Sequence, residues 1–252
     1  MRLARIAHPS GVAFVVIEGD EVAEIADHPF GQPQFTGKRW PLADVRLLAP
    51  ILPTKIIGVG KNYAAHAAEM GGEPPSTPLL FLKPSTAVIG PNAPIKRPPS
   101  SARVDYEGEL AVVIGQPVRN VPASRAKDVI RGYTIANDVT ARDQQQADVQ
   151  FTRAKSYDTF CPLGPWIETD LDPSDLRVRT TLDGEVKQDV STAQMIHSVA
   201  DLVAFVSEIM TLLPGDVILT GTPEGVGPMV AGQEVSVTID GIGTLTNPVV
   251  DA

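Results

Sequence analysis

The sequence predicts a mainly β fold with a few helices, of the α+β kind, carrying a small β-rich appendage at its N-terminus. Three observations predict it. Short runs rich in valine and isoleucine recur along the chain, each bounded by glycine, proline or aspartate. The 21 glycines and 23 prolines exceed the roughly 30 that average usage supplies together. Finally, the apolar runs do not alternate regularly with helical patterns, as a doubly wound sheet requires.

Taken in order, residues 12–17 and 22–25 read as two strands joined through Gly19-Asp20 in a hairpin. Residues 27–53 are rich in proline, glycine and polar side chains, so residues 1–53 form the small domain and 54–252 the main one. Residues 56–59 open the main domain as an apolar strand. Residues 62–69, alanine-rich and set between Gly60 and Gly71-Gly72, read as a short helix, and 79–82 as a strand. Pro91, Pro94, Pro98 and Pro99 mark an irregular connection into an apolar strand that opens near Glu107. Residues 124–130 read as a short helix and 132–136 as a strand. Residues 178–182 and 186–189 flank Asp183-Gly184, a second hairpin signal. The one well-marked helix follows Ser198: Val199, Leu202, Val203, Phe205, Val206, Ile209 and Met210 recur at helical spacing. Ser198 and Asp201 resemble a capping box, and Pro214-Gly215 forms a stop. Residues 217–219, 235–239 and 244–250 read as closing strands.

Bulk properties narrow the function. The 252 residues are 43% hydrophobic and 20% charged, the balance of an ordinary soluble globular protein. The net charge of −9 and the absence of a basic run argue against nucleic acid as a partner. No apolar stretch reaches the ~18 residues of a membrane helix. The single cysteine, Cys161, excludes an internal disulfide and fits a reducing compartment, and its apolar neighbours make it structural rather than nucleophilic. The N-terminus lacks the basic-then-apolar pattern of a signal peptide, so the expected location is the cytoplasm.

Three carboxylates carry the chemistry. Glu107 and Glu109 stand two residues apart at the head of an apolar run, and side chains at i and i+2 of a strand share a face. Two buried carboxylates repel, and a cation between them removes the repulsion. Oxygen-only ligands favour a hard ion, Mg²⁺ or Mn²⁺ over Zn²⁺. The bland reading is a pair of glutamates at a solvated strand end. Asp138, after the 132–136 strand, is either a third ligand or only a turn former. Arg142 can hold a carboxylate in bidentate fashion, Gln145 can orient a carbonyl or a water, and Lys155 is a nearby cation; each has an ordinary surface reading too. His66 and Glu69, three apart on the short helix, can pair so that the histidine tautomer is fixed and acts as a general base. The flanking glycines would let that helix close as a lid. Gly58-Val59-Gly60 fails the dinucleotide pattern because Tyr63 occupies the third glycine position. The run Gly221-Thr222-Pro223-Glu224-Gly225-Val226-Gly227 lacks the Lys-Ser/Thr of a phosphate loop but can offer backbone N–H groups or the Thr222 hydroxyl to a carboxylate.

Together these residues resemble the fumarylacetoacetate hydrolase family. The matching segments include Gly58-Val59-Gly60-Lys61-Asn62-Tyr63 with His66 and Glu69, Leu80-Phe81-Leu82-Lys83-Pro84, Asp105-Tyr106-Glu107 with Glu109-Leu110, Asn137 to Asp143, Ala154-Lys155-Ser156, and Gly215 to Pro223. They occur in family order over roughly residues 55–250, and the first 53 residues look like the smaller appendage of bacterial members. The resemblance implies a distorted β-roll of mixed strands and a homodimer. It implies Glu107, Glu109 and Asp138 as Mg²⁺ or Mn²⁺ ligands, Lys155 and Gln145 at the substrate or the reacting water, His66 and Glu69 as the water-activating dyad, and Arg142 and Thr222 as substrate contacts.

The activity this implies is metal-dependent C–C bond hydrolysis of acylpyruvate-like 2,4-dioxo acids through an enolate. The same enolate serves a decarboxylase or isomerase of 2-oxo or 2-hydroxy-dienoic diacids in aromatic-acid catabolism, or an oxaloacetate decarboxylase. The complete His66–Glu69 pair ranks hydrolysis first. The chain is short beside eukaryotic fumarylacetoacetate hydrolases, which argues against fumarylacetoacetate as the substrate. A non-catalytic module holding a structural Ca²⁺ is the remote alternative; it leaves His66, Glu69, Gln145 and Lys155 unexplained.

Overall fold

The computed structural model describes residues Met1–Ala252 and is built mainly from strands, with four short α-helices: α1 (Ala64–Glu69), α2 (Arg142–Ala147), α3 (Thr152–Lys155) and α4 (Val199–Ile209). The main sheet runs, in spatial order, Phe35–Pro41, Glu21–Ile25, Gly11–Glu18, Arg2–His8, Cys161–Glu168, Ile130–Asn137, Gly108–Ile114, Val217–Leu219, Ile56–Gly60 and Leu79–Lys83. Neighbours along it are antiparallel except Val217–Leu219 on Ile56–Gly60, which is parallel. A five-stranded sheet packs against it, ordered Glu185–Ser191, Arg177–Leu182, Glu234–Ile239, Gly243–Asp251 and Ile95–Arg97. A three-stranded sheet joins Thr140–Ala141, Val104–Tyr106 and Gly227–Pro228. The mainly β expectation therefore holds.

Gly108–Ile114 is buried along its whole length, which explains its unbroken apolar sequence. Leu110, Val112 and Ile114 enter one core together with Val237, Ile239 and the α4 residues Leu202, Val203 and Val206. Ala111 and Val113 enter a second core on the other face with Leu3, Leu163 and Leu219. The period of two thus loads both faces of this central strand. The α4 cap forms as its sequence suggests: Asp201 N–H donates to Ser198 Oγ at 3.2 Å, and Ser198 N–H donates to Asp201 Oδ2 at 3.3 Å. No helix is long and apolar enough to cross a membrane.

Several elements escape the sequence reading. Phe35–Pro41 lies in the stretch read as irregular; it is an exposed edge strand, so it has no buried face to impose alternation. Cys161–Glu168 carries Pro162, Gly164 and Pro165, yet it lies in the middle of the main sheet. Its register with Ile130–Asn137 shifts between Tyr133 and Ile135, and such an irregularity is where a sheet tolerates proline. The N-terminal strands also continue the main sheet, because Arg2 and Leu3 pair with Glu168 and Ile167.

Candidate active site

The site forms where the chain passes from one sheet into another. Val104–Tyr106 belongs to the three-stranded sheet, Gly108–Ile114 to the main one, and Glu107 is the link between them. The two glutamates do not share one unbroken strand, which corrects the expectation from their spacing. Side chains take the backbone donors at the break: Asn137 Oδ1 accepts from Glu107 N–H at 2.9 Å, and Gln188 Oε1 accepts from Gly108 N–H at 3.0 Å. A Cβ on residue 108 would collide with Thr180 Oγ1 and come within 3.0 Å of Val237 Cγ1, so this crossing requires glycine.

Asp138 reaches the same place from the end of Ile130–Asn137, with its N–H donating to Glu107 O at 2.8 Å. Carboxylate oxygens of Glu107, Glu109 and Asp138 lie within 4.8 Å of one another, and all three residues are buried. Burial, reinforced by the Asp138 and Glu107 charges, pushes the Glu109 carboxyl well above the usual carboxylate range. Burial acts the same way on Glu107, but Lys155 and Arg142 outweigh it and hold Glu107 well below that range.

The cations around the cluster are tied to it. Lys155, at the end of α3 and 2% exposed, donates from Nζ to Glu107 Oε2 at 2.7 Å and to Asp138 Oδ2 at 2.6 Å. Burial alone would lower its ammonium pKa; Asp138 and Glu107 outweigh burial and raise it. Arg142, at the start of α2, donates from Nε to Asp105 Oδ2 at 2.9 Å, from Nη2 to Glu107 Oε1 at 2.6 Å and from Nη1 to Gln145 Oε1 at 2.6 Å. Each guanidinium nitrogen donates one bond within the protein, so Arg142 positions Glu107, and the residue also lines the cleft with one further N–H on each Nη. The Thr222 hydroxyl donates its one proton to Gly108 O at 3.0 Å and accepts from Gln188 Nε2 at 2.8 Å, and the residue lines the cleft. The glycine-rich loop turns its N–H groups to the protein's own carboxylates. Gly221 N–H donates to Glu109 Oε2 at 2.7 Å, and Gly225 N–H donates to Glu69 Oε1 at 3.1 Å.

His66 is 5% exposed, and its Nδ1 faces Glu69 Oε2 at 3.2 Å. With Nδ1–H donated to that carboxylate, Nε2 is left as an acceptor. Asn62 sets the approach to α1 by donating to His197 O at 3.0 Å and Thr220 O at 2.8 Å. His66, Glu107, Glu109, Asp138, Arg142, Gln145, Lys155 and Thr222 all line one cleft of about 170 Å³, with Phe81 and Phe151 among its apolar walls. Glu69 stands behind His66, bonded to it and to the glycine-rich loop.

Sequence reasoning missed Lys83 and Asp105 as site components. Lys83 Nζ lies 2.7 Å from Asp138 Oδ1 and donates to Lys155 O at 2.5 Å, in full burial. Its only sequence signal was a lysine ending an apolar strand just before Pro84. Asp105 receives both Arg103 and Arg142 and fixes the latter's fork. Cys161 is buried, and burial pushes its thiol up to about 12, in keeping with a structural residue.

The donor set fits a hard divalent ion. All three convergent groups offer carboxylate oxygen. Glu109 has no cationic partner, only the Gly221 N–H, although it lies against two further carboxylates. The Asp138 Oδ1 contact with Lys83 is an ion pair without well-directed hydrogen-bond geometry, which leaves a lone pair for a further ligand.

Comparison with known proteins agrees with this geometry. Residues 1–50 match the Rv2993c-like N-terminal family. The chain is 62% identical over 260 residues to protein Rv2993c of Mycobacterium tuberculosis, covering 99% of this chain and 98% of that one. It is 42% identical over 222 residues to the mitochondrial oxaloacetate tautomerase Fahd2a of Rattus norvegicus, covering 83% of this chain and 71% of that one. The crystal structure of 5-carboxymethyl-2-hydroxymuconate delta-isomerase from Mycobacterium smegmatis superposes with a TM-score of 0.95 at 62% identity, with complete coverage of both chains. Maleylpyruvate hydrolase from Sphingobium sp. SYK-6, in complex with manganese (II) ion and pyruvate, superposes with a TM-score of 0.83 at 34% identity, also over both full chains. The fumarylacetoacetate (FAA) hydrolase C-terminal family matches residues 55–250, and the chain belongs to that family.

Proposed function

We propose that this chain is a Mg²⁺- or Mn²⁺-dependent enzyme that moves a proton between carbon and oxygen of a 2-oxo diacid, as a keto–enol tautomerase or double-bond isomerase. The observation that carries the reading is one cleft holding both the three-carboxylate cluster and the His66–Glu69 pair. The tautomerase and isomerase relatives support this reaction type over others open to the family. A divalent ion held by Glu107, Glu109 and Asp138 would supply Lewis-acid polarisation of the substrate's carboxylate and 2-oxo oxygens.

The chain's own residues do the rest. His66 Nε2 accepts the proton leaving carbon 3 in the keto-to-enol direction and returns it in the reverse direction. Glu69, itself fixed by Gly225 N–H, holds the tautomer that makes this possible. Lys155 and Arg142 keep Glu107 ionised and oriented, and Lys83 and Lys155 orient Asp138. Gln145 has its carbonyl oxygen on Arg142, which turns its amide N–H₂ free for a substrate oxygen. Phe81 and Phe151 exclude water from one wall.

C–C bond hydrolysis is the second reading. The maleylpyruvate hydrolase likeness favours it, and the same His66–Glu69 pair can draw a proton from water. One assay ranks the two: decay of enol-oxaloacetate followed in the ultraviolet, beside cleavage of acetylpyruvate, with Mg²⁺ or Mn²⁺ and with EDTA. Accelerated enol decay without cleavage supports the tautomerase. Cleavage at a comparable kcat/KM moves the assignment to a hydrolase, and activity on neither substrate sinks both.

A further inference from the structure

The cleft contains one cation that the protein does not use. Arg142 and Lys155 line it with their charged groups on carboxylates, and Lys83 lies behind Asp138 in the same condition. Lys61 also lines the cleft, is half-buried, and takes part in none of the protein's ion pairs or side-chain hydrogen bonds. Its backbone is held at φ 57°, in the left-handed region that a lysine seldom occupies. That conformation turns the chain out of the Ile56–Gly60 strand and into α1, where Asn62 pins it.

The amine has a built seat. A Cβ placed on Gly72 would lie 2.8 Å from Lys61 Nζ, so the ammonium packs against the bare glycine of the turn that ends α1. That turn is itself closed by Gly72 N–H donating to Ala67 O at 3.0 Å. Lys61 thereby stands on the α1 side of the cleft, near His66 and Met70, whereas the carboxylate cluster is surrounded by cations already committed. A partly desolvated cation without a partner is unfavourable until an anion arrives. In a chain of net charge −9, a second substrate carboxylate needs such a local cation.

We propose that Lys61 binds the distal carboxylate of the substrate and makes the cleft selective for 2-oxo diacids over 2-oxo monoacids. This rests on the reading of the cleft as a 2-oxo acid site. Lys61 is a specificity-determining residue here and has no part in the proton transfer.

The test compares binding of 2-oxoglutarate and 2-oxobutyrate, a diacid and a monoacid, to Mg²⁺-loaded wild type and to Lys61→Met, Lys61→Asn and Lys61→Arg by calorimetry. Asparagine is at home at positive φ, so that variant keeps the test readable if methionine disturbs the turn. The expected result is that Met and Asn weaken the diacid about 10- to 100-fold more than the monoacid, that Arg restores most of the preference, and that raised salt narrows it in wild type. Equal weakening of both acids, or of neither, overturns the role of Lys61 while leaving the 2-oxo acid site standing. If wild type binds neither acid, the reading of the cleft fails and the proposal falls with it.

Discussion

The backbone N–H of Gly221 donates to Glu109 Oε2 at 2.7 Å, and this is the only donor given to a buried carboxylate that has two others beside it. The glycine-rich loop therefore orients one member of the cluster without neutralising it. Glu109 is left to be balanced by a proton or by a metal ion.

A pH prediction follows from that competition. Because the Glu109 carboxyl is raised in the folded state, its protonated form contributes stability at low pH. That contribution is lost as pH rises through the elevated value. Metal-free protein should therefore show a falling Tm as pH climbs above the usual carboxylate range, and Mg²⁺ should reverse the fall. Glu109→Gln should flatten the metal-free profile and abolish the Mg²⁺-induced rise in Tm. Thermal melts across pH, with Mg²⁺ or EDTA, provide the check; a Tm in wild type that ignores Mg²⁺ at every pH would contradict it.

Arg142 should matter through Glu107. Removing one member of a buried ion-paired group costs ~3–5 kcal/mol where it strands a charge; Arg142→Ala should cost less than that, because Asp105 keeps Arg103 and Glu107 keeps Lys155. Arg142→Lys keeps the charge but cannot reproduce the fork to Asp105, Glu107 and Gln145. It should fold and bind Mn²⁺ roughly 10- to 100-fold more weakly, as measured by titration. Unaltered Mn²⁺ affinity in Arg142→Lys would show that Glu107 does not depend on it.

The His66–Glu69 pair should separate chemistry from metal binding. Neither residue is bonded to the carboxylate cluster. His66→Ala should reduce kcat on the proposed enol substrate by ~10²–10⁴-fold, and Glu69→Gln by less, with Mn²⁺ affinity retained in both. Loss of Mn²⁺ binding along with kcat would point to a structural role instead.

Gly108→Ala should be poorly tolerated. The added methyl group meets Thr180 Oγ1 and Val237 Cγ1 between two packed sheets. Overpacking of this kind costs about 1–3 kcal/mol or more, and the backbone shift would also displace Glu107 and Glu109. A lowered Tm together with weakened Mn²⁺ binding is expected, and chemical denaturation checks the stability change.

The amino-acid sequence alone determined the mainly β class, the capped α4, the two hairpins around Asp20 and Asp183, and which residue types gather for chemistry, because these depend on local periodicity, turn residues and short motifs. It did not show that Cys161–Glu168 runs through the middle of the main sheet, since its prolines look like loop until a register shift in the neighbouring strand accommodates them. Nor did spacing show that Glu107 lies at the junction of two sheets, or that Lys83 and Asp105 sit behind the cluster. Tertiary structure decided how each polar group is occupied. Arg142 and Thr222 are bonded within the protein itself, while Lys61 remains free, because hydrogen-bond partners are assigned by side chains that meet only after distant segments have packed.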